Sequence, residues 1–202
     1  MPIPLYTQTV IAFIWDFDRT LIPGNMQDPI FEHYGVEPQT FWEEVEGLVA
    51  HYGRRGIPIS RDAAYLGHIL TYVAEGLFPD LTNDKLKELG THLEMSPGIP
   101  DFLEATRKRI AADATLAGEG IRVEHYIVST GILPMIQGCS IAPHVDGVWA
   151  NSFIETPAPS GYLQHLPVAA DEPQPVSRIG YTIDNTTKTR AVFEINKGVN
   201  KN

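Results

Sequence analysis

The chain reads as an α/β protein, with a parallel sheet core flanked by helices and an inserted helical unit. Two observations predict the core and a third predicts the insertion. Residues 10–15, VIAFIW, form a strand-type run that ends in two aspartates one residue apart, Asp16 and Asp18. Residues 125–131, HYIVSTG, form a second such run that ends in small hydroxylated residues and a glycine. Between them lie about a hundred residues of mainly helical periodicity, too many for a simple connection in a compact domain.

The first run is apolar without alternation, too short to span a membrane and bounded by charge, so it reads as a buried strand of a parallel sheet. Ligands of such sheets bind beyond the carboxyl ends of the strands, where Asp16 and Asp18 stand. Side chains alternate along an extended chain, so the two carboxylates face the same way and converge on one small volume. Like charges held that close call for a cation. A hard divalent ion, Mg2+ foremost, accepts one or two carboxylates and keeps positions for water and phosphate. One carboxylate can then attack phosphorus, while the other protonates the leaving oxygen and later activates water.

The insertion shows three helical faces: Phe41, Val45, Leu48 and Tyr52; Tyr65, Ile69 and Val73; Leu86, Leu89 and Leu93. Breaks at 53–58 and at Pro79, Asn83 and Asp84 separate them. Arg54, Arg55 and Arg61 are the residues there best suited to grip an anionic substrate tail, because guanidinium binds carboxylate or phosphate bidentately. Phe41, Trp42 and Tyr65 are assigned to the insertion's own interior. Residues 95–98, MSPG, read as the return linker, and Ile99, Phe102, Leu103, Thr106 and Ile110 as the stripe of a helix packing on the sheet.

After Gly131, residues 133–153 suggest one helix and then short strands. Residues 157–175, with five prolines, suggest a loop or extended hairpin. A nucleophilic carboxylate and a phosphoryl group are both anionic and need a fixed cation between them. Lys188 is the best candidate, with Arg190 and Lys197 as competitors, and it opens an amphipathic segment with Ala191, Val192 and Ile195 at helical spacing. Asp184, after the short run 179–183, is a candidate additional metal ligand.

With these residues in place, DFDRTL resembles the first motif of the haloacid dehalogenase (HAD) superfamily in its phosphatase-type, phosphoserine-phosphatase-like form. The resemblance implies a Rossmann-like core with an α-helical cap: residues 1–23 and 96–202 as core and 24–95 as cap. It makes Asp16 the nucleophile and a side-chain ligand of Mg2+. Asp18 becomes the general acid/base and offers its backbone carbonyl to the metal, and Thr20 helps orient the site. HYIVSTG resembles the second motif, in which Ser129 donates its hydroxyl to a phosphate oxygen while the Thr130 and Gly131 amides cradle the charge at a helix start. Lys188 matches the third motif.

The fourth motif, an acidic pair after a further strand, has no counterpart after Lys188, where no aspartate follows. In the family that strand lies beside the one bearing the first motif. The expectation is therefore a core incomplete at its C-terminal side, with residues 10–15 left as an open apolar edge, in a shortened version of a longer phosphatase or one completed by a partner chain. The function the resemblance implies is Mg2+-dependent hydrolysis of a small phosphorylated metabolite through an aspartyl phosphate. The alternatives are a phosphomutase of the same family, or a non-catalytic domain that binds phosphate or a partner.

Composition fits a globular protein: 202 residues, 43% hydrophobic and 20% charged. A formal charge of -10, with no basic run longer than Arg107–Arg109, argues against a nucleic-acid surface. No stretch reaches membrane-spanning length, and the first residues lack the basic start and small-residue cleavage site expected of a signal peptide. The single cysteine, Cys139, rules out an internal disulfide, suits a cytoplasmic setting and reads as a small buried hydrophobe. A homo-oligomer is compatible with all of this.

Overall fold

The computed structural model describes residues 9–155 and 174–198. The proline-rich stretch assigned above to a loop or hairpin lies, over 157–173, outside the described residues. In chain order the elements are β1 (Val10–Trp15), α1 (Asp28–Tyr34), α2 (Pro38–Gly53), α3 (Arg61–Ala74), α4 (Asn83–Gly90), α5 (Asp101–Ala112), α6 (Ala114–Gly118), β2 (Arg122–Ile132), α7 (Leu133–Gly138), β3 (Gly147–Ile154), β4 (Arg178–Tyr181) and α8 (Lys188–Lys197). The sheet runs β1-β2-β3-β4; the first three strands are parallel and β4 pairs antiparallel with β3.

Local chemistry accounts for the element boundaries. Pro38 occupies the first turn of α2, where its missing amide costs nothing. Ser60 caps α3 by accepting from the Ala63 amide at 3.1 Å, and Thr82 caps α4 by accepting from Lys85 at 2.9 Å. α1 ends on Gly35 in the left-handed conformation, which glycine adopts without a Cβ penalty.

The strand bearing the aspartates is not buried as its composition suggests. β1 is the edge of the sheet, and Ile11 and Ile14 are each 40% exposed, because β2 covers only one side of it. The open apolar edge expected from the missing fourth motif is therefore present among the described residues. The predicted stripe of α8 also shifts. Ala191 and Glu194 are buried and Ile195 packs beside them, whereas Val192 is exposed. Phe102 of α5 is likewise exposed, resting edge-on against Trp15.

One continuous apolar cluster joins the insertion helices to the sheet, from Phe17 and Phe41 through Leu86 and Leu103 to Ile127 and Val148. α4 and α7 cross in close contact. A Cβ on Gly90 would stand 2.1 Å from the Met135 carbonyl oxygen, and one on Gly138 would stand 1.9 Å from that of Lys87. Only glycine permits backbones this close. The chain re-enters the core at Ser96, whose amide donates to the Leu21 carbonyl at 2.8 Å and whose hydroxyl donates to that of Thr20 at 3.1 Å. No helix among the described residues is long and apolar enough to cross a membrane.

Candidate functional site

Three chain segments meet beyond the carboxyl end of β1, beside the last residues of β2. The register Trp15↔Ile127 sets Asp16 and Ser129 at nearly the same level on neighbouring strands. Asp16, its side chain 51% exposed, accepts at Oδ1 from its neighbour's amide, Phe17 N, at 2.9 Å, and from Lys188 Nζ at 2.9 Å. Lys188 thus stands where the sequence places it, at the first position of α8, reaching back to the first aspartate.

Asp18 occupies a different environment. It is partly buried, and its Oδ1 accepts from the Met26 amide at 2.8 Å. Burial is the main reason its carboxyl is pushed up to about 6; the charges of Asp16 and Asp28 add to the rise, and the Met26 amide and Lys188 oppose it. The two aspartates of one motif therefore differ in solvation as well as in partners.

Ser129, buried, accepts from the Gly131 amide at 2.9 Å, which leaves its hydroxyl proton free to donate. That contact changes the expected anion cradle. The Gly131 amide is turned inward onto Ser129, and β2 continues to Ile132 before α7 begins, so the helix start lies beyond Ser-Thr-Gly. Gly131 also leaves room for the Met26 side chain: a Cβ there would stand 2.1 Å from its Cε, so the thioether would have to shift. The Thr130 carbonyl points the other way and accepts from Tyr65 and Asn151. Thr20 is exposed, and its carbonyl takes the Ser96 hydroxyl; among the described residues its own hydroxyl contacts neither aspartate.

The insertion reaches this site through residues other than the three arginines. Arg61 pairs with Glu46 at 2.5 Å and lies 4.7 Å over the Trp42 ring. Arg54 and Arg55 sit exposed in the turn after α2, and no hydrogen bond or ion pair among the described residues ties them to the site. Instead Asp62, in the first turn of α3, accepts from the Asn185 amide beside Lys188. Burial and then the Asp184 charge raise its carboxyl, against the pull of that amide, Arg61 and Lys188. Tyr65, assigned above to the insertion's interior, is buried, yet its hydroxyl leaves that interior for Thr130.

Asp184, the candidate additional metal ligand, lies in the turn that leads into α8. Its Oδ1 accepts from the amides of Thr186 and Thr187 at 2.8 and 2.7 Å, capping the approach to α8, and these bonds hold its carboxyl below the usual range. Among the described residues no three acids, histidines or cysteines are grouped to hold a metal. The hard oxygens available are those of Asp16 and Asp18, a set that suits Mg2+, which binds through one or two protein groups and completes its shell with water and phosphate.

Three comparisons bear on this arrangement. No family model matches the chain. An uncharacterized protein of Borreliella burgdorferi is 40% identical over 196 residues, which are 95% of this chain and 66% of that protein; the chain thus spans just under two thirds of its relative's length. A solved HAD family hydrolase from Salmonella enterica serovar Typhi superposes with a TM-score of 0.53 at 16% identity, covering 95% of this chain and 53% of its own. The chain has the HAD fold. A phosphoserine phosphatase captured as a phospho-aspartyl intermediate analogue aligns at a TM-score of 0.51 and 16% identity, over 96% of this chain and 75% of the other. A substrate-bound phosphoserine phosphatase gives 0.51 at 15%, over 96% and 74%. In this HAD core Asp16, Asp18, Ser129 and Lys188 sit at the sheet's carboxyl end, where α/β folds bind their ligands.

Proposed function

We propose that the chain carries the site of a HAD-type phosphomonoester phosphatase acting on a small phosphorylated metabolite. The observation that carries this reading is the contact of Lys188 with Asp16 at 2.9 Å beside an Asp18 carboxyl pushed up to about 6. A cation is fixed at the nucleophile, and a proton donor poised near neutrality stands next to it.

The Asp16 carboxylate attacks phosphorus as the bond to the leaving oxygen breaks, giving an aspartyl phosphate. Asp18 gives its proton to the departing alkoxide. It then takes a proton from water, whose oxygen attacks phosphorus, releases inorganic phosphate and frees the Asp16 carboxylate. Ser129 and Lys188 hold the phosphoryl oxygens, supplying a hydrogen bond and a charge where negative charge accumulates. A Mg2+ ion at the Asp16 carboxylate and the Asp18 carbonyl would neutralise further charge on the phosphoryl group. The four insertion helices would serve as a cap that limits water and selects the substrate, with Asp62 presented toward the Lys188 end of the cleft. The lone buried Cys139 suits a reducing, cytoplasmic setting.

The test is phosphate release from a panel of phosphomonoesters, phosphoserine included, with and without Mg2+ and beside an Asp16→Asn control. Metal-dependent release that the control lacks supports the reading. Release unaffected by the substitution, or no release with any substrate, would overturn it, and the second result would favour a domain that binds phosphate without turning it over.

A further inference from the structure

Beneath the cleft lies a buried set of hydrogen bonds that the proposed chemistry does not use. The Tyr65 hydroxyl donates to the Thr130 carbonyl at 2.6 Å, and Asn151 Nδ2 donates to the same oxygen at 2.5 Å. Asn151 Oδ1 accepts from the Ile183 amide at 2.7 Å, and its Nδ2 also stands 3.5 Å from the Tyr65 oxygen. The Gln27 side chain meets that same oxygen. Tyr65, Asn151 and Ile183 are all buried, Asn151 fully so.

The partners come from different places in the sequence. Thr130 follows Ser129. Ile183 precedes the capped turn that delivers Lys188. Gln27 follows Met26, whose amide holds Asp18. Tyr65 belongs to α3 of the insertion. A buried amide in the middle of a strand is costly unless both its ends are satisfied, and here each end is satisfied by a different site segment.

On the reading that this cleft binds a phosphoryl group, we propose that Asn151 and Tyr65 are positioning residues that fix the Ser129 segment against the Lys188 segment and the insertion, and so set the cleft's affinity for phosphate. Neither touches the reacting atoms. The Thr130 carbonyl receives two donors because its strand departs from regular pairing between Val128 and Ile132, which frees that oxygen from the ladder.

The test uses the 202-residue chain as Tyr65→Phe and Asn151→Asp. The first removes one hydroxyl from an unchanged ring. The second keeps the acceptor for Ile183 and turns the donor facing Thr130 into an acceptor. The measurements are kcat and KM with p-nitrophenyl phosphate, direct binding of inorganic phosphate by calorimetry, and melting temperature. Phosphate affinity and kcat/KM should fall about tenfold in Tyr65→Phe, the equivalent of one lost hydrogen bond. They should fall about a hundredfold in Asn151→Asp, as for a displaced catalytic segment. Both effects should persist well below the melting temperature, where a purely structural role would leave the folded fraction unaltered. If Asn151→Asp does not fold, Tyr65→Phe decides. Folded variants with wild-type phosphate affinity and kcat/KM overturn this inference alone. A wild-type chain that neither turns over substrate nor binds phosphate overturns the functional reading and this inference with it. A wild type that binds without turnover leaves phosphate affinity to decide.

Discussion

Asp18→Asn should make the metal-free protein more stable at neutral pH while abolishing phosphate release. Burial pushes the Asp18 carboxyl from 3.8 up to about 6. A carboxyl whose folded value is raised binds its proton more tightly in the folded state, so its contribution favours folding at low pH and is lost as pH rises through the folded value. The rise corresponds to about 3 kcal/mol, or about 2 kcal/mol once the water that still reaches this partly exposed group is allowed for. Asparagine carries no charge and keeps the oxygen that accepts the Met26 amide at 2.8 Å, so the variant sheds the cost without breaking the contact. Urea unfolding in a chelator should show the variant about 2 kcal/mol more stable than wild type near pH 7.5, with the gain shrinking as pH falls through about 6 and vanishing below about pH 3, where both folded and unfolded Asp18 are protonated. A variant no more stable at neutral pH, or one whose gain does not shrink in acid, would refute the assignment of a buried, proton-retaining Asp18.

Lys188→Met should lower kcat/KM at least about a hundredfold, and Lys188→Arg should restore little, because a planar fork does not replace an ammonium aimed at one carboxylate oxygen. Steady-state phosphate release reads both, and a Lys188→Met variant of near wild-type activity would remove Lys188 from the site. Gly138→Ala drives a methyl into the Lys87 carbonyl oxygen and should cost about 1–3 kcal/mol, seen as a lower melting temperature; an unchanged melt would disprove the tight crossing of α4 and α7. Glu194→Ala takes the carboxylate away from the Trp149 indole at 2.8 Å and the Tyr181 hydroxyl at 2.9 Å, and denaturant unfolding should show a loss of about 2–3 kcal/mol.

What could be read from the sequence follows from what is local. The positions of Asp16, Asp18, Ser129 and Lys188 in the fold were legible because strands and helix starts are marked by composition within a few residues, and Lys188 lies 2.9 Å from Asp16. Lateral neighbours are not written locally. VIAFIW looks like a strand buried on both sides, yet its burial depends on what lies beyond the β1 edge, so Ile11 and Ile14 emerge exposed. Val192 failed for the same reason, while Glu194 of the same helix is the buried acceptor of Trp149. Asn151 left a readable signal, a lone amide in the buried run GVWANSFI, which has to find partners for both its ends. Asp62 left none: an acid in a helix's first turn is ordinary, and only the fold brings it to Asn185.

The division between the two aspartates follows from a single turn of backbone. Asp16 directly follows a strand at the open edge of the sheet, so its carboxylate stands half in solvent, with Lys188 on one oxygen. Arg19 then takes the left-handed conformation at φ 56, donating its amide to the Gly24 carbonyl, and the loop folds back so that the Met26 amide closes over Asp18. Side-chain alternation alone would give two carboxylates in equal surroundings. The returning loop makes them unequal, withdrawing one from water while leaving the other exposed, and on the proposed reading that difference is what would let Asp16 attack while Asp18 keeps a proton to give.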